Sequence, residues 1–285
     1  MIEHQGRGRV LTVAGTDPTC GAGLPLDIRM IAHLGGLPQA AVTAITVQDT
    51  AQVTVVQPVD ARLVAQQMRA ALDDIGVDCI KLGMLATGAI VQAVLDILDA
   101  HPTIPIIADP VVAGTGGGIL LDPEGLALWR RELLPRVTLI TPNLPEARIL
   151  ADIPDPSPEA LATALAQRGC SVLLKGGHGE GPMVRDLFLH QGSLRTHEHP
   201  RLHGPPFHGT GCALASAIAT RVALGDPLDQ AVAKGLATNL QAMENGSAPG
   251  RGQRLLGIKL TPPPTPEAQA PTTLATRRTS PWPTY

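Results

Sequence analysis

The stretch VLTVAGTDPTCGAGLPLDIRMIAHLGG, residues 10–36, decides the fold. Val10–Ala14 is an apolar run of strand length, and it ends in the polar string Gly15-Thr16-Asp17-Pro18. Leu24, Ile28, Ile31 and Leu34 then recur at helical spacing until Gly35-Gly36 stops the pattern. The unit is a buried strand, a loop and an amphipathic helix. The same alternation continues along the chain. Ala41–Val47, Cys79–Leu85, Pro105–Asp109, Val137–Thr141 and Ser171–Lys175 read as strands. Between them, Asp60 would cap a helix bearing Leu63, Met68, Leu72 and Ile75, and Thr87–Leu98 is a second such helix. Asp122-Pro123, Ser157-Pro158 and Asp226-Pro227 each read as a helix start. Val184–Leu189 and Ser193–Glu198 read as an edge hairpin. Strands alternating with helices predict an α/β fold whose mostly parallel sheet is covered on both faces.

Composition agrees with one large domain. The chain has 285 residues, 44% hydrophobic and 16% charged, and its 2% aromatic content leaves Leu, Val, Ile and Ala to build the core. A net charge of −3 with no basic stripe argues against a nucleic-acid partner. No apolar run reaches the roughly 18 residues of a membrane span, and Met1–Arg9 lacks the apolar stretch of a signal peptide. The four cysteines, Cys20, Cys79, Cys170 and Cys212, have no CxxC spacing, which predicts a reduced, cytoplasmic protein. Residues 247–285 differ from the rest. They hold eight prolines and carry five basic residues against Glu267. They are expected to be a disordered tail behind a domain of residues 1–246.

In open α/β sheets, ligands sit beyond the carboxyl ends of the strands. The polar and Gly-rich strings fall at those places: Gly15–Pro18, Gln48-Asp49, Gly83-Met84, Asp109-Pro110 with Gly114–Gly118, Asn143–Glu146, and Lys175–His178. The sharpest is His208-Gly209-Thr210-Gly211-Cys212, ahead of the apolar helix Ala213–Leu224. Converging amides at a helix start can hold the charge of a transferring phosphoryl group. The same string also serves as a Gly-rich entry to a packed helix. Cys212 at that helix start is either a thiolate base or a small packing residue. Asn143-Leu144-Pro145-Glu146 fits a capping box, and Glu146 and Asp109 could both serve Mg²⁺. Lys175 reads as a phosphate contact or a solvated turn lysine. His178, His203 and His208 match no zinc spacing, and neither a Walker A string nor a GxSxG elbow occurs.

Taken in order, these strings resemble the hydroxymethylpyrimidine/phosphomethylpyrimidine kinases of the ribokinase-like superfamily. The similarity runs from about Val10 to about Asn245. It is carried by Ala14–Pro18, Gly21-Ala22-Gly23, Asp27, Thr43-Ala44, Val47-Gln48, Lys81–Leu85, Asp109-Pro110-Val111, Thr141–Ala147, Leu174–His178 and His208–Cys212. Cys20 and Pro25-Leu26 depart from the family pattern. The resemblance implies a ribokinase-like three-layer α/β/α fold and ATP-dependent phosphorylation of a small pyrimidine alcohol and its monophosphate, with Mg²⁺. Gly15, Ala22, Asp27, Gln48 and Met84 would line the pyrimidine pocket, where Gln48 offers a donor and an acceptor. Gly209, Thr210, Gly211 and Cys212 would form the anion hole. Asn143 and Lys175 would face the nucleotide, and Asp109 and Glu146 the metal. A homodimer is expected. The alternatives are a pyridoxal or pyridoxine kinase, or a non-catalytic pyrimidine-binding protein on the same scaffold.

Overall fold

The computed structural model describes residues 8–112, 120–153, 156–177 and 181–259. The Gly114–Gly118 string, His178 and residues 260–285 lie outside them.

The opening unit folds as β1 (Arg9–Ala14) and α1 (Gly23–His33), followed by β2 (Leu37–Val42), β3 (Ala44–Gln48) and β4 (Val53–Pro58). Then come α2 (Ala61–Asp74), β5 (Cys79–Leu82), α3 (Gly88–Ala100), β6 (Ile106–Ala108), α4 (Pro123–Leu128) and β7 (Leu139–Ile140). The chain continues through α5 (Leu144–Ala151), α6 (Pro158–Ala166), β8 (Ser171–Leu174), β9 (Met183–His190), β10 (Ser193–Pro200), α7 (Thr210–Ala223) and α8 (Leu228–Glu244). Eight strands form one sheet in the order β10-β9-β8-β7-β6-β5-β1-β2. It is parallel from β8 through β2 and antiparallel only across β8-β9-β10, the expected edge hairpin.

Side-chain alternation along the strands builds the layers. Leu11, Val13, Ile80 and Leu82 face one side and pack with Val64, Met68, Ile90, Val94, Leu150 and Leu161 from α2, α3, α5 and α6. Val10, Cys79, Ile107 and Leu173 face the other and pack with Ile31, Leu214, Ile218 and Val232 from α1, α7 and α8. Strands apolar on both faces are the mark of a parallel sheet between two helical layers. Asp60 accepts from the amides of Arg62 and Leu63 at the start of α2, and Asp122 and Ser157 cap α4 and α6. Asp226 does not open α8, which starts at Leu228 behind Pro227; it pairs with Lys234 at 2.8 Å instead.

Two further expectations are corrected. Ala41–Val47 is not one strand. It divides at Thr43, whose amide still donates to the Ala14 carbonyl at 2.9 Å as a continuation of the β1-β2 ladder and whose hydroxyl donates to the Met84 carbonyl at 2.6 Å. The chain leaves the main sheet there, and β3 pairs with β4 as a separate ribbon over the strand ends. The tail boundary at residue 247 is also too early. Residues 247–259 pack on the domain, with Leu256 and Ile258 buried against Leu26, Met30, Ala217 and Ala242. These two apolar side chains outweigh the Pro- and Gly-rich composition around them.

Candidate active site

A cleft of about 890 Å³ lies beyond the carboxyl ends of β1, β5, β6, β7 and β8. Its floor is made by the loops that follow those strands, as the topology requires. Gly15, Ala22, Gln48 and Met84 line one end. Asp109, Asn143, Glu146 and Lys175 line the other, and Gly209–Cys212 lie between. The Met84 methyl abuts Gly15, so the first end is walled by apolar atoms with the Gln48 amide as a polar contact.

The strings between the two ends are held by backbone geometry. Gly209 has φ of +77°, and a Cβ there would come within 2.0 Å of the Gly21 carbonyl oxygen, so only glycine fits. Gly209 is also the N-cap of α7, and no side chain caps that helix. The first amides of α7 therefore face the cleft with the positive end of the helix behind them. A Cβ on Gly211 would lie 2.9 Å from both Asp109 Oδ2 and Lys175 Nζ. The bare backbone of the turn thus abuts a carboxylate and an ammonium group.

At the charged end, Lys175 Nζ donates to Asp109 Oδ1 at 2.9 Å. Burial opposes the charge on Lys175, but Asp109 and Glu146 more than offset it and hold the ammonium above its ordinary range. Asn143 Oδ1 accepts from the Glu146 amide, and Glu146 Oε2 accepts from the Asn143 amide, both at 2.8 Å. The capping box and the place in the cleft hold together. Burial pushes the Glu146 carboxyl up to about 7, with Lys175 pulling against it and Asp109 adding to it. Asp186, on β9, accepts from the Gly176 amide at 2.8 Å and braces the turn after Lys175.

The cleft brings together every expected site residue except Asp27. Asp27 does not line it. It is wholly buried beneath, where Lys81 Nζ (2.7 Å) and the hydroxyls of Thr12 (2.7 Å) and Ser216 (2.8 Å) take up its oxygens. A carboxylate so enclosed, with both oxygens accepting from its neighbours and no exposed surface, does not face a ligand in the cleft. Of the two readings of Cys212, burial favours the packing one, because it pushes the thiol up to about 12. Lys81 pulls it down, while Asp27 and Asp109 add to the rise. In the ligand-free site Cys212 is a thiol.

Three contributors were not assigned roles from the sequence: Lys81, Asp17 and His208. Lys81 carried a signal, as a lysine inside the apolar strand β5. Asp17 is almost completely buried and accepts from the amides of Thr19 and Ala22, both at 2.8 Å. His208, the first residue of the Gly-rich string before α7, bridges Asp17 and Gln48.

Residues 17–256 match the family model for phosphomethylpyrimidine kinase. The hydroxymethylpyrimidine/phosphomethylpyrimidine kinase of Salmonella typhimurium is 40% identical over 219 residues, covering 75% of this chain and 82% of that protein. The thiamine biosynthesis multifunctional protein ThiED of Corynebacterium efficiens is 40% identical over 231 residues. That match covers 79% of this chain, and the chain spans 31% of that longer protein. Among solved structures, the pyridoxal kinase of Staphylococcus aureus in complex with AMP-PCP and pyridoxal superposes with a TM-score of 0.80 at 28% identity. The superposition covers 88% of this chain and 93% of that one.

Proposed function

The chain belongs to the phosphomethylpyrimidine kinase family, and we propose that it phosphorylates 4-amino-5-hydroxymethyl-2-methylpyrimidine, and then its monophosphate, at the expense of ATP. One observation carries this reading. The uncapped start of α7 stands between an apolar, amide-bearing end of the cleft and a charged end built from Asp109, Glu146 and Lys175. An acceptor alcohol at the first end and a nucleotide at the second meet over those amides.

The roles follow from chemistry. Gly15, Ala22, Gln48 and Met84 hold the ring and aim its hydroxymethyl group at Gly209–Cys212. The α7 amides take the charge that spreads over the equatorial phosphoryl oxygens. Lys175 contacts the phosphates as a point charge, and Asn143 lies on the nucleotide side. Among the described residues no group of three or more His, Cys, Asp or Glu side chains gathers as a metal site. Mg²⁺ carried in with a nucleotide needs only one or two carboxylates, and Asp109 and Glu146 fit that donor set. When bound, Mg²⁺ neutralises charge on the phosphates. Cys212 would take the hydroxyl proton only as a thiolate, after its own proton has left to solvent; Lys81 favours that form and burial opposes it. The second phosphorylation needs the first product to rebind with its phosphate on the nucleotide side.

The likeness to a pyridoxal kinase favours pyridoxal as the second reading. ADP release with hydroxymethylpyrimidine, its monophosphate and pyridoxal in parallel separates them. Higher kcat/KM for pyridoxal than for both pyrimidines would overturn the pyrimidine assignment.

We further propose a homodimer through the β3-β4 ribbon. Its Thr46 faces inward while Ile45, Val47 and Val55 are exposed, an inverted pattern for a strand over a wet surface. No helix among the described residues is long and apolar enough to cross a membrane. All four cysteines are free, in keeping with a reducing, cytoplasmic setting.

A further inference from the structure

His208 Nε2 has two neighbours. Asp17 Oδ2 lies 3.0 Å away, and the Gln48 amide atom placed as Nε2 lies 2.6 Å away. Asp17 has three other donors, the Thr19 and Ala22 amides and the Thr19 hydroxyl, whose one proton is shared between both oxygens. It acts throughout as an acceptor. Burial acts to raise its pKa, but the bond from His208 and those from Thr19 hold the carboxyl below its ordinary range. An ionised oxygen 3.0 Å from an imidazole nitrogen requires a proton on that nitrogen. Nε2 is therefore a donor, and the Gln48 atom facing it must be an acceptor.

The other end of the same amide gives an independent answer. Its second heavy atom, placed as Oε1, lies 3.4 Å from the Thr46 hydroxyl. That hydroxyl has one proton, and it donates it to the Thr16 carbonyl at 2.8 Å. What Thr46 can offer Gln48 is a lone pair, so the Gln48 atom facing Thr46 must be the amino group. Both neighbours select the amide orientation that exchanges these two atoms.

We propose that Asp17 and His208 are positioning residues that hold the Gln48 amide with its oxygen toward His208 and its NH₂ toward Thr46 and the cleft. Gln48 then addresses the substrate as a hydrogen-bond donor. It selects an aromatic ring nitrogen next to the exocyclic amine, not the amine itself. His208 directly precedes Gly209, the cap of α7, so the group that sets ring recognition is joined to the anion hole by one peptide bond. Selection of the ring nitrogen rests on the pyrimidine kinase reading; the orientation of the amide does not.

Two measurements test it. Long-range ¹H–¹⁵N correlation spectra of the ligand-free full chain, with the His208 signal assigned by its absence in His208→Asn, report which ring nitrogen is protonated. The expected result is a proton on Nε2. A neutral ring protonated on Nδ1, with Nε2 accepting, overturns the proposal whatever the substrate proves to be. In kinetics, Asp17→Asn should raise KM for hydroxymethylpyrimidine about tenfold, the order of one hydrogen bond. KM for ATP should stay within about twofold, since the nucleotide end does not use this amide. An analogue with CH in place of the ring nitrogen should bind wild type and Gln48→Ala equally weakly. Unchanged KM in Asp17→Asn, or retention of the analogue advantage in wild type, overturns it. If the spectra show Nε2–H while no pyrimidine is phosphorylated, the substrate reading fails and the positioning role stands.

Discussion

Lys81 Nζ lies 2.7 Å from Asp27 Oδ2, and neither side chain has any exposed surface. The pair joins β5 to α1 under the floor of the cleft. Burial opposes the Lys81 charge, but Asp27 foremost, with Cys212 and Asp109, holds it above its ordinary range. Removing one partner strands the other in a medium that cannot solvate it. Lys81→Met should therefore lose about 3–5 kcal/mol in urea unfolding. Lys81→Met combined with Asp27→Leu should lose less than the single variant, because no bare charge remains. A single variant as stable as wild type would mean that water reaches the pair.

Glu146 supplies a pH signature. Its folded pKa of about 7 stands above its ordinary 4.5 because of burial. Between those values the folded state holds a proton that the unfolded chain has lost. Its contribution is complete below about pH 4.5 and is lost as pH rises through 7. Relative to Glu146→Gln, wild type should lose up to about 3 kcal/mol between pH 5 and 8. Glutamine can still accept from the Asn143 amide, so the capping box survives the comparison. Calorimetry of Mg-nucleotide binding at pH 6.5, in two buffers of different ionisation heat, should show proton release that vanishes in Glu146→Gln. Equal pH curves for the two proteins would show Glu146 to be an ordinary carboxylate.

The thiols should react in an order set by burial and charge. Cys20 is exposed. At pH 7.5 iodoacetamide should label Cys20 first and Cys212 far more slowly, as read by peptide mass mapping. Asp109→Asn removes a charge that raises Cys212 and should speed its labelling. Cys212→Ser keeps the α7 amides and should reduce kcat by roughly 10²–10⁴ with little change in pyrimidine binding, the range of general-base removal. Near-full turnover in that variant would leave catalysis to the amides of Gly209–Gly211 and the charged end.

Much of this architecture was legible because its causes are local. Leu11 and Val10 point to opposite layers by strand alternation alone, and the polar strings after β1, β5, β6, β7 and β8 had to meet at one edge of a parallel sheet. What escaped depends on partners distant in sequence. Asp27 reads as a pocket residue until Lys81, 54 positions on, is seen to close over it. Cys212 stays open between thiolate base and packing residue until its burial is known. Leu256 and Ile258 are two apolar residues in a Pro- and Gly-rich stretch, and only the groove between α1 and α8 gives them a place.

The β3-β4 ribbon tests the oligomer. Ile45 and Val47 alternate outward with Thr46 inward, so Ile45→Lys with Val47→Lys leaves the cleft-facing side chains alone. Sedimentation should show a dimer for wild type and a monomer for the double variant. A dimer that survives both lysines would move the interface elsewhere.

The segment after α8 decides how the anion hole is braced. The His208 amide donates to the Arg254 carbonyl at 2.8 Å, and the Arg254 amide donates to the Pro206 carbonyl at 2.9 Å. The Arg254 guanidinium lies 3.8 Å from the Phe207 ring centroid, a stacking contact over the same loop. Leu256 and Ile258 anchor the segment in the core. A chain ending at Lys259 keeps all of these contacts, so its turnover and melting temperature should match those of the full chain. A chain ending at Gly246 loses two buried side chains, each worth about 1.5–3 kcal/mol, together with the backbone partner of His208. It should melt lower, and turnover measured well below its melting point should fall as the loop before α7 loosens. A shorter chain with full activity would show that residues 205–208 hold their place without the strand-like partner at Arg254.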